Sequence, residues 1–383
     1  MPAELNLPPP ADGPPAPLRN RPGTVVTEDR PGTTPTEYGN AHTPALVYPG
    51  MDLTRIRLNN TVFEGRNNAY LLDGATPTLI DTGVSMPDTR SELVAGLSEA
   101  GVAVSDLDRI LLTHWHADHS GLAGELAAEA DATVFAHEAD VPLVAGDDDA
   151  FAEVRALRER RFAEWGIPPD KQAELAAFRT EFEGAAGESV AVEPLTDGDR
   201  IAAGDAELSV VHLPGHAAGL AAFEVTAVDG AAPDSAEAFV GDAILPQYTP
   251  NVGGADLRVD GPLAQYVDSL GRLAARDLDR AWPGHRDPID DPAGRISEIR
   301  THHVDRTRRV VDTLREHGPA DAWTVSAHLF GDLHEVHILH GPGEAFAHLD
   351  HLEREGVVER DGSDYRLVDL DPDVPALFPN ARY

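Results

Sequence analysis

Short apolar runs separated by turn residues dominate the chain from Met51 onward, and they predict a protein rich in strands. The clearest runs cover residues 53–58, 69–72, 78–80, 109–112 and 132–137, and others follow in 200–214, 220–228, 237–245 and 279–285. Aliphatic and aromatic runs bounded by Gly, Pro, Asn and Asp are typical of strands. Histidine or aspartate repeatedly stands where such a run ends, which predicts a site at strand ends.

Helical patterns are interspersed with these strands. Residues 88–100 place Leu93 and Leu97 on one face before Gly101, and further helices are predicted near Ser120 and over 262–276. Residues 147–183 predict two helices interrupted by the segment WGIPPD. This insertion is expected to be either a lid or substrate wall, or simple packing. The alternation of strands and helices predicts a layered α/β fold.

The two ends of the chain differ from its middle. Residues 1–45 are rich in Pro, Gly and Thr without periodicity, which predicts a poorly ordered tail. After residue 295 a long helical pattern is followed by the segment TVSAHLFG, a helix over 343–356 and a hairpin that turns at Asp361 and Gly362. Helices followed by a β-ribbon favour a winged-helix domain. The predicted division is therefore a main domain over 46–295, a winged-helix domain over 296–370 and a C-terminal tail over 371–383.

Charge is extreme over the whole length. The 383 residues contain 30 Lys+Arg against 66 Asp+Glu, a net charge of −36, and Lys171 is the only lysine. Such a composition resembles that of proteins from organisms with molar salt in the cytoplasm, where the Debye length falls to about 3 Å and carboxylate repulsion is screened. The acidic charge therefore does not by itself exclude nucleic acid as a partner.

Cysteine is absent, so any metal ion must be held by imidazole and carboxylate groups. No apolar run approaches the length of a membrane span. The start of the chain has neither the basic nor the apolar region of a secretory signal. A cytoplasmic location without membrane contact is expected.

The segment THWHADHSG concentrates four metal donors: His114, His116, Asp118 and His119. In extended backbone the first two side chains point to the same side, while the other two follow as the chain turns into a helix. One ion usually takes three or four protein ligands, so further donors are needed. Candidates follow strand patterns downstream: His216 in LPGHAAG, Asp242 in FVGDAIL and His285 in WPGHRDP.

Together these motifs resemble the metallo-β-lactamase-fold hydrolases. The run HWHADH is preceded by TLIDTG and followed by LPGH, GD and PGH, and the resemblance covers residues 46–295. It implies a four-layer αβ/βα sandwich with a binuclear site between the sheets. It assigns His114, His116 and His216 to one metal, Asp118, His119 and His285 to the other, and Asp242 to a bridge between them. Asp81 would orient the site.

Two divalent ions about 3.5–4 Å apart can hold a bridging hydroxide at neutral pH. Asp118 is expected to orient this nucleophile or to take its proton. Zinc is the first choice for the two ions, and iron or manganese also suits five His and two Asp ligands.

The segment EGRNNAYLLDG and the C-terminal helices resemble one branch of the superfamily, the glyoxalase II-like and lactamase-β-like hydrolases. In that branch the positions of Asn68 and Tyr70 form an Asn-x-Tyr element that borders the site, so both are expected either to contact substrate or to be part of the strand and turn structure. No stretch resembles the glutathione pocket of glyoxalase II itself. The expected reaction is hydrolysis of a small ester or thioester, with the C-terminal domain closing the groove or making a homodimer contact.

Three alternatives stay open. One is a single-strand endoribonuclease, in which the basic run Arg300, Arg306, Arg308, Arg309 and Arg315 guides RNA, unless these arginines pair with neighbouring acids. Another resembles the persulfide dioxygenases, which use a single iron. The third is a non-catalytic nucleic-acid-binding protein with a relic site.

The histidines at 334, 337 and 340 are expected to be exposed side chains rather than a further metal site.

Overall fold

The structure is a computed structural model that describes residues 46–48, 51–59, 66–181 and 184–378, with the backbone alone at 46–48 and 181. The described residues belong to one compact unit. The predicted tail over 1–45 lies outside them, as does the end of the predicted tail over 371–383. Residues 371–378 pack on the helices, where Phe378 is buried.

The first sheet has seven strands in chain order. They are β1 (Leu46–Tyr48), β2 (Leu53–Arg57), β3 (Asn68–Leu72), β4 (Thr78–Ile80), β5 (Arg109–Leu111), β6 (Thr133–His137) and β7 (Val192–Leu195). Strands β1 to β4 pair antiparallel, and β4 to β7 pair parallel. Parallel strands need crossover connections, which the intervening helices provide.

The second sheet has five strands. They are β8 (Arg200–Ala203), β9 (Ala206–His212), β10 (Ala221–Val228), β11 (Glu237–Gly241) and β12 (Arg280–Pro283). They run in the order β12-β11-β10-β9-β8, with β11 and β12 parallel and the other pairs antiparallel. A third, two-stranded sheet consists of β13 (Val358–Asp361) and β14 (Asp364–Leu367).

Ten α-helices connect and cover these sheets in the described chain. They are α1 (Pro87–Glu99), α2 (Ala117–Ser120), α3 (Ala123–Ala130), α4 (Val141–Val144), α5 (Asp148–Glu164), α6 (Pro169–Glu181), α7 (Pro262–Ala274), α8 (Pro292–His317), α9 (Ala322–Phe330) and α10 (His337–Arg354). Short 3₁₀ helices cover Val104–Asp106 and Val374–Leu377.

Three hydrophobic clusters show the order of the layers. One packs the facing sides of the two sheets, with Tyr70 from the first sheet near Phe239 and Trp282 from the second. Another joins the outer face of the first sheet to α1 and α3, and the third joins the outer face of the second sheet to α7, α8, α9 and α10. Since both faces of the central strands are buried, those strands read as continuous apolar runs. The predicted four-layer αβ/βα sandwich is confirmed.

The C-terminal segment has the predicted order of helices followed by a β-ribbon. The predicted boundary between residues 295 and 296 falls inside α8, and Ile296 and Ile299 belong to the same cluster as the second sheet. The designation as a separate winged-helix domain stays a prediction. Helix α10 begins at His337, six residues before the predicted start, and continues through Pro342.

The insertion forms the two predicted helices, α5 and α6. The interruption between them buries Trp165 and Ile167 in the cluster that joins the second sheet to α7, α8, α9 and α10, called the C-terminal cluster below. There Trp165 lies 5.4 Å from Phe346. A role as lid or substrate wall stays a prediction. No helix in the described ranges is long and apolar enough to cross a bilayer.

Candidate metal centre

The predicted donors lie where strands end, at one edge of the sandwich between the two sheets. Strand β5 leads into His114 and His116, and the short helix α2 carries Asp118 and His119. The second sheet supplies the others: His216 follows β9, Asp242 follows β11 and His285 follows β12. All seven side chains come together, although they are up to 171 residues apart in the sequence.

The first triad consists of three histidine nitrogens. His116 Nδ1 lies 2.9 Å from His114 Nε2 and 3.1 Å from His216 Nε2. Two imidazole lone pairs facing each other at such distances repel unless a proton or a cation lies between them. A zinc ion binds imidazole nitrogen at about 2.0–2.1 Å, so the triad has the right size for one ion.

The second triad combines a carboxylate with two histidines. Asp118 Oδ2 lies 3.5 Å from His285 Nε2 and 3.9 Å from His119 Nε2. All three side chains are buried. Within the described residues, His119 Nε2 has no hydrogen-bond partner despite its burial, which leaves it available to a metal ion.

Asp242 joins the two triads. Its Oδ2 lies 3.7 Å from His216 Nε2 and 3.4 Å from His285 Nε2, and its Oδ1 lies 3.6 Å from His119 Nε2. One carboxylate thus faces histidines of both triads, as the bridging role requires. Among the described side chains, Asp242 Oδ1 also has no hydrogen-bond partner.

Two glycines allow the loops to approach this closely. Gly241 has φ of +49°, and a Cβ there would lie 2.6 Å from Thr113 Oγ1. A Cβ on Gly284 would lie 2.5 Å from Asp242 Oδ1 and would also collide with the His119 ring. The glycine in each of the motifs GD and PGH is therefore required by the packing of the site itself.

Hydrogen bonds on the far side of the rings fix their orientation. The carbonyl oxygens of Asn251 and Ala255 accept from His216 Nδ1 at 2.9 Å and His116 Nε2 at 3.2 Å. His119 Nδ1 donates to Asp81 Oδ2 at 2.9 Å, and His114 Nδ1 lies 3.1 Å from Thr113 Oγ1. Metal-bound histidines usually donate their second nitrogen to such acceptors, which leaves the first nitrogen free to bind.

The two triads differ in their electrostatics. Burial lowers the pKa of His114 and His216, and it lowers the pKa of His116 to about 4, so these rings are neutral as ligands must be. Burial opposes protonation of His119 and His285 too, but nearby carboxylates raise the pKa of both rings. The pKa of Asp242 is held well below its usual value by His285 and His119 against the effect of burial.

Asn68 and Tyr70, predicted either to contact substrate or to support strand and turn structure, both bind backbone. Both are buried, and both donate to the carbonyl of Pro283, Asn68 Nδ2 at 3.0 Å and Tyr70 Oη at 2.6 Å. Asn68 Nδ2 also donates to the carbonyl of Arg286 at 2.7 Å. These bonds fix the turn that carries His285. A direct contact with substrate stays a prediction.

The neighbouring Asn67 was missed by the sequence analysis. Its Nδ2 donates to Asp118 Oδ2 at 3.3 Å, and its backbone forms a bridge with His285. The segment EGRNNAYLLDG contains two consecutive asparagines, Asn67 and Asn68. Treating both as candidate site residues would have identified Asn67.

A buried cluster of Arg258, Asp140 and Asp256 was also missed. Arg258 pairs with both carboxylates at 2.6 Å and lies 5.3 Å from the Trp115 ring. Asp140 accepts from the backbone nitrogen of Trp115, and Asp256 accepts from Trp115 Nε1 and from the backbone nitrogen of Ala218. The cluster therefore fixes the loops on both sides of the first triad. No local sequence signal marks it.

The geometry agrees with a comparison to known families. The model of the metallo-beta-lactamase superfamily matches residues 62–285, which contain all seven donors. The chain belongs to this superfamily. The five His and two Asp donors fit the divalent metal ions that the fold suggests.

Known relatives of this superfamily member match most of the chain. The probable metallo-hydrolase YqjP of Bacillus subtilis is 27% identical, over 80% of this chain and 94% of its own. The crystal structure of a metallo-beta-lactamase family protein from Thermus thermophilus has 31% identity and a TM-score of 0.69, and it covers 84% of this chain and 99% of its own. A beta-lactamase domain protein from Burkholderia ambifaria has 25% identity and the same TM-score, over 86% and 94%. Together these findings make the protein a hydrolase of the superfamily.

Proposed function

We propose that this hydrolase uses two metal ions, and that it acts on an ester or thioester of a small molecule. The observation that carries the proposal is the position of Asp242, whose carboxylate faces His216 of one triad and both His119 and His285 of the other. A single-iron enzyme would not need the second set of donors. A relic site would be expected to lose some of them.

When bound, two divalent ions, with zinc as our first choice, lower the pKa of a water molecule and stabilise negative charge on a substrate oxygen. The protein contributes position and charge. Asp118 is kept ionised by His119 and His285, which lower its pKa against the effect of burial. Its carboxylate, held by Asn67, can therefore orient the attacking water or accept its proton. Asp81 fixes the ring of His119.

The arginines of α8 favour a small substrate over RNA, because they are already engaged within the chain. Arg306 pairs with Glu344, Arg308 with Asp305 and Arg315 with Asp312, and Arg300 and Arg309 donate to the carbonyls of Val267 and Leu329. The three arginines that pair with carboxylates contribute less to phosphate binding, which depends on cations that release counterions from the nucleic acid. At low salt the net charge of −36 also repels RNA, which is itself a polyanion.

The proposal is tested with a panel of esters and thioesters beside a labelled single-stranded RNA, assayed in molar KCl with the zinc-loaded protein. We expect about two zinc ions per chain and hydrolysis of at least one ester or thioester. His116→Ala, which removes a donor of the first triad, is expected to lower kcat by at least about 100-fold while circular dichroism shows an intact fold.

The outcomes separate the alternatives. RNA cleavage that is lost in His116→Ala would identify an endoribonuclease instead. One iron per chain in the purified protein, with oxygen consumption on a persulfide, would favour the dioxygenase type. A protein that takes up no metal would refute the proposed mechanism. Asp108→Asn, at an exposed carboxylate on the opposite end of β5, is the control and should leave activity unchanged.

A further inference from the structure

Helix α10 approaches the loop that follows β11 unusually closely, backbone against backbone. A Cβ on Gly253 would lie 2.5 Å from the carbonyl oxygen of Gly343, and a Cβ on Gly254 would lie 2.6 Å from the Cα of His340. Gly343 in turn has no room for a Cβ against Gly254. The sequence Gly-Pro-Gly is unfavourable inside a helix. The contact with the loop explains Gly343, the second glycine of this tripeptide, because a larger residue there would collide with the backbone of Gly254.

Asn251, two residues before Gly253 in the same loop, binds α10 through its side chain. Its Nδ2 donates to the carbonyl of His340 at 3.2 Å and lies 3.4 Å from Glu344 Oε2. Its Oδ1 accepts from the backbone nitrogen of Gly254 at 3.1 Å. The amide thus holds the loop in shape and ties it to the first two turns of the helix.

The backbone carbonyl of Asn251 points the other way, into the metal centre, where it accepts from His216 Nδ1 at 2.9 Å. This bond sets the orientation of the His216 ring and selects the tautomer whose Nε2 carries a free lone pair. A residue that binds α10 with its side chain and His216 with its carbonyl connects the C-terminal segment to the first triad.

We propose that Asn251 is a positioning residue for His216 and that α10, by holding Asn251, is a working part of the metal site. The inference rests on the proposed function only in that His216 binds a metal ion. It gives the C-terminal segment a role that requires neither nucleic acid nor a second subunit. The tie extends to α8, since Arg306 pairs with Glu344 at 2.6 Å and both side chains are largely buried.

The test measures zinc affinity by competition with a chromophoric chelator. In Asn251→Ala the side-chain bonds to His340, Glu344 and Gly254 are lost, and the carbonyl that orients His216 is no longer held. We expect the dissociation constant of one of the two zinc ions to rise by about 10–100-fold. The constant of the other ion should change by less than about threefold, because Asp118 and His119 of the second triad are held by Asn67 and Asp81 rather than by Asn251.

Asn251→Asp keeps the acceptor for Gly254 but places a carboxylate oxygen against the His340 carbonyl and Glu344 Oε2, which repel it, so it should raise the same constant by at least as much. If Asn251→Ala does not fold, the zinc constants of Asn251→Asp test the inference in its place. The control is Leu349→Ala on α10, at a buried position within the C-terminal cluster. It should lower the melting temperature without changing either zinc constant.

Unchanged zinc constants in the folded Asn251 variants would overturn the inference, and so would an equal loss in Leu349→Ala. The proposed function fails in a distinguishable way, since the unsubstituted protein would then take up no zinc. A protein that binds two zinc ions and tolerates Asn251→Ala would retain the proposed function and lose only this inference.

Discussion

Asp81 stands in a backbone conformation that few residues adopt, with φ of 56°. Its carboxylate accepts from the backbone nitrogen and the hydroxyl of Thr113, each at 2.8 Å, and from His119 Nδ1. Such a conformation costs about 1–3 kcal/mol for a residue other than glycine and persists where the surroundings determine it. The three hydrogen bonds hold Asp81 in this conformation, and they support the orienting role predicted for it.

Tyr70 offers a test of positioning against substrate contact. In Tyr70→Phe the hydrogen bond to the Pro283 carbonyl is lost while the ring packing is kept. We expect the free energy of unfolding in urea to fall by about 0.5–1.5 kcal/mol. The KM for an ester or thioester should stay within about twofold, since the hydroxyl is directed at backbone. A KM raised tenfold at unchanged stability would instead identify a substrate contact.

At the scale of elements, α8 and α10 are joined by a buried pair of histidines. His303 Nδ1 lies 3.4 Å from His348 Nε2, and Thr307 Oγ1 lies 2.7 Å from His348 Nδ1. Burial lowers the pKa of both rings well below 6.5, and the neighbouring Arg306 and His302 lower it further. Both histidines are therefore neutral in the folded protein.

This pair predicts a loss of stability in mild acid. Below about pH 6.5 the unfolded chain binds protons on these histidines that the folded protein does not, so stability falls as the pH falls. Each such proton contributes about 1.4 kcal/mol per pH unit. His348→Gln, which can bind Thr307 but does not titrate, should reduce the slope of unfolding free energy between pH 6.5 and 5 by about that amount. An unchanged slope would mean that His348 is protonated in the fold.

At the scale of the whole molecule, the net charge of −36 predicts that salt stabilises the protein. Repulsion among exposed carboxylates destabilises the compact state at low ionic strength, and KCl near 1 M shortens the Debye length to about 3 Å. We expect the urea midpoint of unfolding to rise steadily between about 0.1 and 2 M KCl. A midpoint independent of KCl would contradict the halophilic interpretation of the composition.

The strands, the layered fold and the seven donors could be predicted from the sequence, because each depends on a local pattern. In the run TLI followed by Asp81, and in FVG followed by Asp242, both the strand and the polar residue at its end can be recognised from a few neighbouring residues. Element boundaries depend on more than a local pattern. Helix α10 begins six residues before the predicted start and continues through Pro342, although a proline inside a helix usually ends or kinks it.

The sequence by itself determined the candidate metal donors and the order in which strands present them, through the dense segment THWHADHSG and through the resemblance of the later motifs to a known family. Only the tertiary structure decided what holds them. Asn251 lies 35 residues from His216, and Asp256 lies 141 residues from Trp115, yet these pairs are hydrogen-bonded. Backbone carbonyls and buried ion pairs leave no periodic signal along the chain. Their partners are defined only when the second sheet and the C-terminal helices pack around the site.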